Sequence, residues 1–188
     1  MTLANQLTML RIALALAMFG ALAARSPASH LAAFALFLAA IVTDWVDGYV
    51  ARTMRTISAF GKVADPIADK ILIIGALIAL TRERLGVPLW AVFLIIAREL
   101  VIGGMRILTT AQGKVPMAES WGKWKMGIQS TSVLAMVALL PLRDRLGTLP
   151  PWLARLPYWL TIACVLVAWN SAYLYYLQSK KVLQKSWE

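Results

Sequence analysis

Four aspartates, Asp44, Asp47, Asp65 and Asp69, follow one another at intervals of three, eighteen and four residues in otherwise apolar sequence. An ionised carboxylate near hydrocarbon costs roughly 2.5 to 3.5 kcal/mol at a helix centre on insertion scales, so four together need a compensating partner. Metal cations are the simplest one. Hard ions such as Mg²⁺ or Mn²⁺ take oxygen ligands, and Mg²⁺ usually combines a few carboxylates with substrate phosphate. A dinuclear site with metals roughly 3.5 to 4 Å apart would suit phosphoryl displacement. Two other uses of such acids are open: pairing with Arg52, Lys62 and Lys70, and a proton or ion pathway.

Helical geometry makes the intervals specific. On a helix, Asp44, Asp47, Gly48 and Ala51 share one stripe, and Gly61, Asp65 and Asp69 share another at every fourth residue. A short polar turn over 52–58 predicts that the two helices are antiparallel neighbours with their stripes facing. The acids then converge, and the small residues leave a hollow beside them.

Such helices need a bilayer or a large core around them, and composition selects the bilayer. The chain has 188 residues, 60% of them hydrophobic, which fits one polytopic helical domain covering 1–188. Apolar runs at 7–24, 31–50, 63–80, 87–109, 126–142 and 156–176 each approach the ~20 residues that cross ~30 Å of hydrocarbon. We therefore expect an all-α integral membrane protein of six transmembrane helices, preceded by a short interfacial segment that is retained rather than cleaved. Turns are expected at 25–30, 52–58, 82–86, 112–121 and 143–151. His30 falls in the first of these and carries no argument. Cys164 lies in an apolar run and reads as a packing residue, and no zinc pattern is present.

A net charge of +10 would suggest nucleic acid in a soluble protein, but here the basic residues sit at the ends of apolar runs. Orientation and contact with anionic headgroups explain them better, and no nucleic-acid partner is expected. With six helices, thirteen basic residues fall on the side of the termini and six on the other, which puts both termini and the carboxylates in the cytoplasm. Trp90, Trp121, Trp152 and Trp187 read as interface anchors.

The pattern D-x2-D-G-x2-A-R-x8-G-x3-D-x3-D resembles the signature of the CDP-alcohol phosphotransferase family, and Asp44, Asp47, Gly48, Ala51, Arg52, Gly61, Asp65 and Asp69 fill every fixed position. The resemblance implies two divalent cations, Mg²⁺ or Mn²⁺, held by the four aspartates, with Asp69 also acting as general base. Geometry alone does not separate base from ligand. The resemblance also tips Gly48, Ala51 and Gly61 from simple close packing of helices toward a nucleotide pocket. Arg52, one turn from the metals, suits a diphosphate.

Upstream, NQLTMLR places Asn5, Thr8 and Arg11 three residues apart, entering the first apolar run. An N-cap with an amphipathic start would suffice to explain it. The stretch is also similar to the amino-terminal PNxLTxxR segment of the family's bacterial phosphatidylglycerophosphate synthases, with Ala4 in place of proline, which would add Asn5 and Thr8 to the nucleotide side. Further on, Arg98 and Arg106 lie roughly 80° apart around a helix and ~12 Å along it. Buried cations there must meet an anion: Glu99, a metal-site acid or a substrate phosphate. IAREL, Arg106 and GKWKMGIQ resemble the REI, LR and GKxKTxxQ stretches of the same branch, with Met126 where threonine is usual. Arg98, Arg106, Lys123 and Lys125 would then bind a phosphorylated acceptor. The lysines could instead serve orientation alone.

The resemblance thus implies transfer of a phosphatidyl group from CDP-diacylglycerol to sn-glycerol 3-phosphate in the bacterial inner membrane. Membrane lipid surrounds the protein, and a homodimer is expected. Alternatives are a sibling acting on phosphatidylglycerol (for cardiolipin) or inositol phosphate. A divalent-cation transporter would also use intramembrane acids, but it has no need of Gly48, Ala51, Arg52 and Gly61 at these intervals.

Overall fold

The computed structural model describes residues 3–54, 59–111 and 120–185. Among these are six helices: α1 (Leu3–Ala24), α2 (Pro27–Met54), α3 (Ala59–Thr81), α4 (Leu89–Ala111), α5 (Ser120–Leu146) and α6 (Pro151–Lys185). The side chains of Asp47, Gly48, Ala51, Arg52, Trp121 and Lys123 fall outside the described residues, as do residues 55–58, 112–119 and 186–188.

Helix ends follow from local chemistry. Arg25 ends α1 in the left-handed region (φ 51°), and its N–H donates to the Leu22 carbonyl at 3.3 Å. One residue later α2 begins. Ser26 and Ser29 cap it reciprocally, each backbone N–H donating to the other's hydroxyl at 2.9 and 3.1 Å, and Pro27 occupies the first helical position where no N–H is required. The turn expected over 25–30 is therefore two residues long, and His30 belongs to the helix. Ser and Pro read as turn residues in sequence because they favour caps and first turns equally well. Likewise α2 continues through Met54 and α5 through Leu146, after which Gly147 (φ 72°) stops the helix. Asn5 and Gln6 form part of α1 itself.

Packing divides the bundle. α1 packs on both α2 and α3, α4 packs on α6 and touches α3, and α5 touches α2, α3 and α6. Ala15, Ala33, Ala40 and Ala76 are buried at these crossings and let backbones approach closely, while Met18, Phe37, Leu77, Val133, Met136 and Leu140 fill the centre. Large apolar side chains such as Leu16, Phe93, Leu100, Ile107, Trp159 and Leu166 point outward, more than 50% exposed, as expected where lipid replaces water. Trp90 and Trp152 are also exposed. Stretches of α1, α2, α5 and α6 are long and apolar enough to cross a membrane. α3 and α4 are of similar length but carry Asp65, Asp69 and Lys70, and Arg98, Glu99 and Arg106. The chain is an all-helical, multi-pass membrane protein.

One end of the bundle is closed by a polar clasp. His30, 2% exposed, sets Nδ1 2.5 Å from Asp144 Oδ2 and Nε2 3.3 Å from Glu83 Oε2. Arg143 donates to the Glu83 backbone carbonyl and lies 3.2 Å from its carboxylate, and Arg25 stands 3.8 Å from the other carboxylate oxygen. The clasp joins the start of α2, the turn after α3 and the end of α5.

Candidate active site

α1 supplies the residues on which the acids converge. Thr8 and Arg11, one turn apart, are 0% and 1% exposed and face the aspartates of α2 and α3. The Thr8 hydroxyl donates to Asp65 Oδ1 at 2.5 Å. The Arg11 guanidinium reaches Asp44 Oδ1 through Nη2 at 2.8 Å and Asp69 Oδ1 through Nη1 at 3.2 Å. A buried guanidinium requires such partners, and two partly exposed carboxylates supply them. The Asp44 side chain is 54% exposed and that of Asp69 26%, so the cluster opens from the buried arginine toward the surface. Gly61 is buried on the same helix as Asp65 and Asp69. Pro66, next to Asp65, lacks the N–H that would bond the carbonyl four residues earlier, which locally loosens α3 beside the acids.

The structure thus brings Thr8, Asp44, Asp65 and Asp69 together. Asn5 lies one turn before Thr8 on the same helix and is half-buried. Arg11, one of the thirteen basic residues on the side of the termini, stands between two of the acids. Its signal was the three-residue spacing with Asn5 and Thr8, which puts all three on neighbouring faces of one helix. The side chains of Asp47, Gly48, Ala51 and Arg52 lie outside the described residues, although their backbone is helical. Among the described residues no group of three acidic, His or Cys side chains is gathered tightly enough to form a metal cluster. The donor set nonetheless fits a hard cation: Asp44, Asp65 and Asp69 offer only oxygen, and two of them converge on a single cationic group.

A second polar cluster lies between α4, α5 and α6. Arg98 is 6% exposed, and its guanidinium is fully oriented: Nε donates to the Ala168 carbonyl, Nη2 to Ser171 Oγ and Nη1 to Glu99 Oε1, each at 3.0 Å. Lys125, also 6% exposed, donates to the same Glu99 oxygen. Lys70 of α3 brings its ammonium to the backbone of α4, 3.5 Å from where a Cβ on Gly103 would stand. Arg106 is exposed further along α4, and the Lys123 side chain lies outside the described residues. Of the anions open to Arg98 from the sequence, Glu99 is the one it meets.

A family model described as CDP-alcohol phosphatidyltransferase matches residues 1–170. The chain belongs to that family. Over 162 residues, 86% of this chain and 77% of the relative, it is 37% identical to a CDP-diacylglycerol–glycerol-3-phosphate 3-phosphatidyltransferase of Bacillus subtilis. It is 39% identical over 137 residues to a probable phosphatidylglycerophosphate synthase of Mycobacterium tuberculosis, covering 70% of this chain and 63% of that one. A CMP-forming cardiolipin synthase of rice is 32% identical over 165 residues, 79% of this chain and 50% of the relative. Like these relatives, the chain is a membrane transferase of phospholipid synthesis, and its family works with divalent cations.

Proposed function

We propose that the chain acts as one domain that transfers the phosphatidyl group of CDP-diacylglycerol to sn-glycerol 3-phosphate, releasing CMP and forming phosphatidylglycerophosphate. The observation that carries this reading is a pair of polar clusters of opposite character. Carboxylates gather on α1–α3, and buried cations gather on α4–α6. The first suits a cation-bound diphosphate, and the second suits an acceptor that itself bears phosphate. Both substrates are named in the activity of the Bacillus subtilis relative.

In this reading Asp44, Asp47, Asp65 and Asp69 hold two divalent cations, Mg²⁺ or Mn²⁺. These supply charge neutralisation on the diphosphate and on the departing CMP. Asp69 takes the proton from the glycerol hydroxyl as its oxygen bonds to the phosphorus bearing diacylglycerol and the bond to CMP breaks. Thr8 holds Asp65 in place by its hydrogen bond, and with Asn5 it borders the nucleotide side. Gly48, Ala51 and Gly61 leave room for the nucleotide, and Arg52 pairs with the diphosphate. Arg98, Arg106, Lys123 and Lys125 receive the acceptor's phosphate. The acyl chains remain in the leaflet, so both clusters lie at the cytoplasmic surface of a bacterial inner membrane. All six helices then cross, and α3 and α4 keep their charges turned into the bundle or toward its cytoplasmic end. The proposed assembly is a homodimer.

The match to a cardiolipin synthase supports a second reading, in which the acceptor is phosphatidylglycerol. Purified protein given CDP-diacylglycerol and each acceptor in turn separates them. CMP release with glycerol 3-phosphate is the expected result, and release only with phosphatidylglycerol or with an unphosphorylated alcohol would overturn the proposal.

A further inference from the structure

We propose that Glu99 is the resident counter-ion of the acceptor-phosphate subsite, keeping Arg98 and Lys125 on one carboxylate oxygen until a phosphate monoester dianion takes its place, and thereby selecting against monoanionic acceptors. This rests on the reading that Arg98 and Lys125 bind the acceptor.

The geometry of the unloaded site carries the argument. Two cations, each 6% exposed, cannot be buried side by side without an anion, because the effective desolvation penalty is several kcal/mol per ion. Glu99 Oε1 supplies it, accepting from Arg98 Nη1 at 3.0 Å and from Lys125 Nζ. The Arg98 plane is fixed independently through α6 by the Ala168 carbonyl and Ser171 Oγ, both at 3.0 Å. Three of its five N–H donors are thereby engaged, leaving one on each terminal nitrogen, and Lys125 keeps two. The two engaged donors, Arg98 Nη1 and Lys125 Nζ, converge on one carboxylate oxygen.

Charge then discriminates between acceptors. Lys70 lies within electrostatic range of Glu99, and Arg106 within range of Arg98. Against these four cations Glu99 is the acid that bonds directly to Arg98 and Lys125 among the described residues. A phosphodiester brings one negative charge and so gains no charge by displacing Glu99. A phosphate monoester brings up to two and does gain. The carboxylate thus sets a threshold that a dianion passes and a monoanion does not.

Full-length protein in lipid nanodiscs, titrated calorimetrically with inorganic phosphate, glycerol 3-phosphate and the soluble diester glycerophosphoglycerol, tests this. Glu99→Gln keeps the shape and removes the charge. It is expected to bind phosphate about fivefold tighter or more, the effect of one unit charge at ~4 Å even in water-like screening. It should also lose part of the preference for monoester over diester, whereas Glu99→Asp should keep that preference. If Glu99→Gln is unstable in anion-free buffer, added phosphate should restore its thermal stability toward the wild-type value. Equal or weaker phosphate binding by Glu99→Gln, or failure of phosphate to restore an unstable variant, overturns the role of Glu99. If Lys125→Met still abolishes phosphate binding, the acceptor reading stands without it. Phosphate binding that survives Lys125→Met overturns both.

Discussion

Arg11 carries its charge where two carboxylates from different helices converge, and it is nearly inaccessible to solvent. Without it Asp44 and Asp69 would repel each other across the junction of α1, α2 and α3. Arg11→Ala is therefore expected to lower the stability of the cation-free protein by about 1–3 kcal/mol, below the value for a fully buried pair because Asp44 is half exposed. Thermal unfolding in chelator, compared with unfolding in excess Mn²⁺, measures it, and the loss should shrink when cation is supplied. A loss of equal size in both conditions would mean that Arg11 acts only through packing. At this scale the sequence was legible where function confines residue types to fixed intervals. The acids of α2 and α3 stood out because carboxylates are rare in apolar sequence. Arg11 did not, because an arginine near a helix start has several ordinary explanations and its partners lie far along the chain, 58 positions away for Asp69.

Among the elements, the clasp of His30, Glu83, Arg143 and Asp144 holds three helix ends that share no sequence signal. The His30–Asp144 contact spans 114 positions, and no local pattern predicts it. The helices themselves were legible from their apolar runs, but their ends were displaced by several residues wherever polar caps continue a helix beyond its hydrocarbon-facing part. The capped start of α2 is the clearest example, since Ser26, Pro27 and Ser29 read as a loop and yet begin a helix. Glu83 has a 4% exposed side chain facing the imidazole and two guanidinium groups. Arg143 and Arg25 are 25% and 45% exposed and Asp144 still faces His30 and Arg143, so Glu83→Gln should destabilise the protein by about 1–3 kcal/mol. Turnover per folded molecule should stay at the wild-type level because the clasp lies away from both polar clusters. An unchanged melting temperature would show that the clasp contributes nothing to stability, and a fall in turnover would show that it communicates with the site.

For the whole molecule, the distribution of basic residues and the even number of helices predict that the turn after α5 and the end of α6 lie on opposite sides of the membrane. In a Cys164→Ser background, Thr148→Cys should react with a membrane-impermeant maleimide in intact cells, and Ser179→Cys only after permeabilisation. The reverse pattern would invert the topology and move the carboxylates away from the cytoplasm. The division of the bundle has a further consequence. The acids belong to helices gathered on α1, and the oriented cations belong to α4 and α5, with α6 supplying two acceptors to Arg98 and both α4 and α5 touching α3. In the proposed reading donor and acceptor are held by different helices, whose relative placement is set where α5 meets α2 and α3 and where α4 meets α3. Substitutions where α5 meets α2 and α3 should slow the transfer step while leaving the dissociation constants of both substrates unaltered.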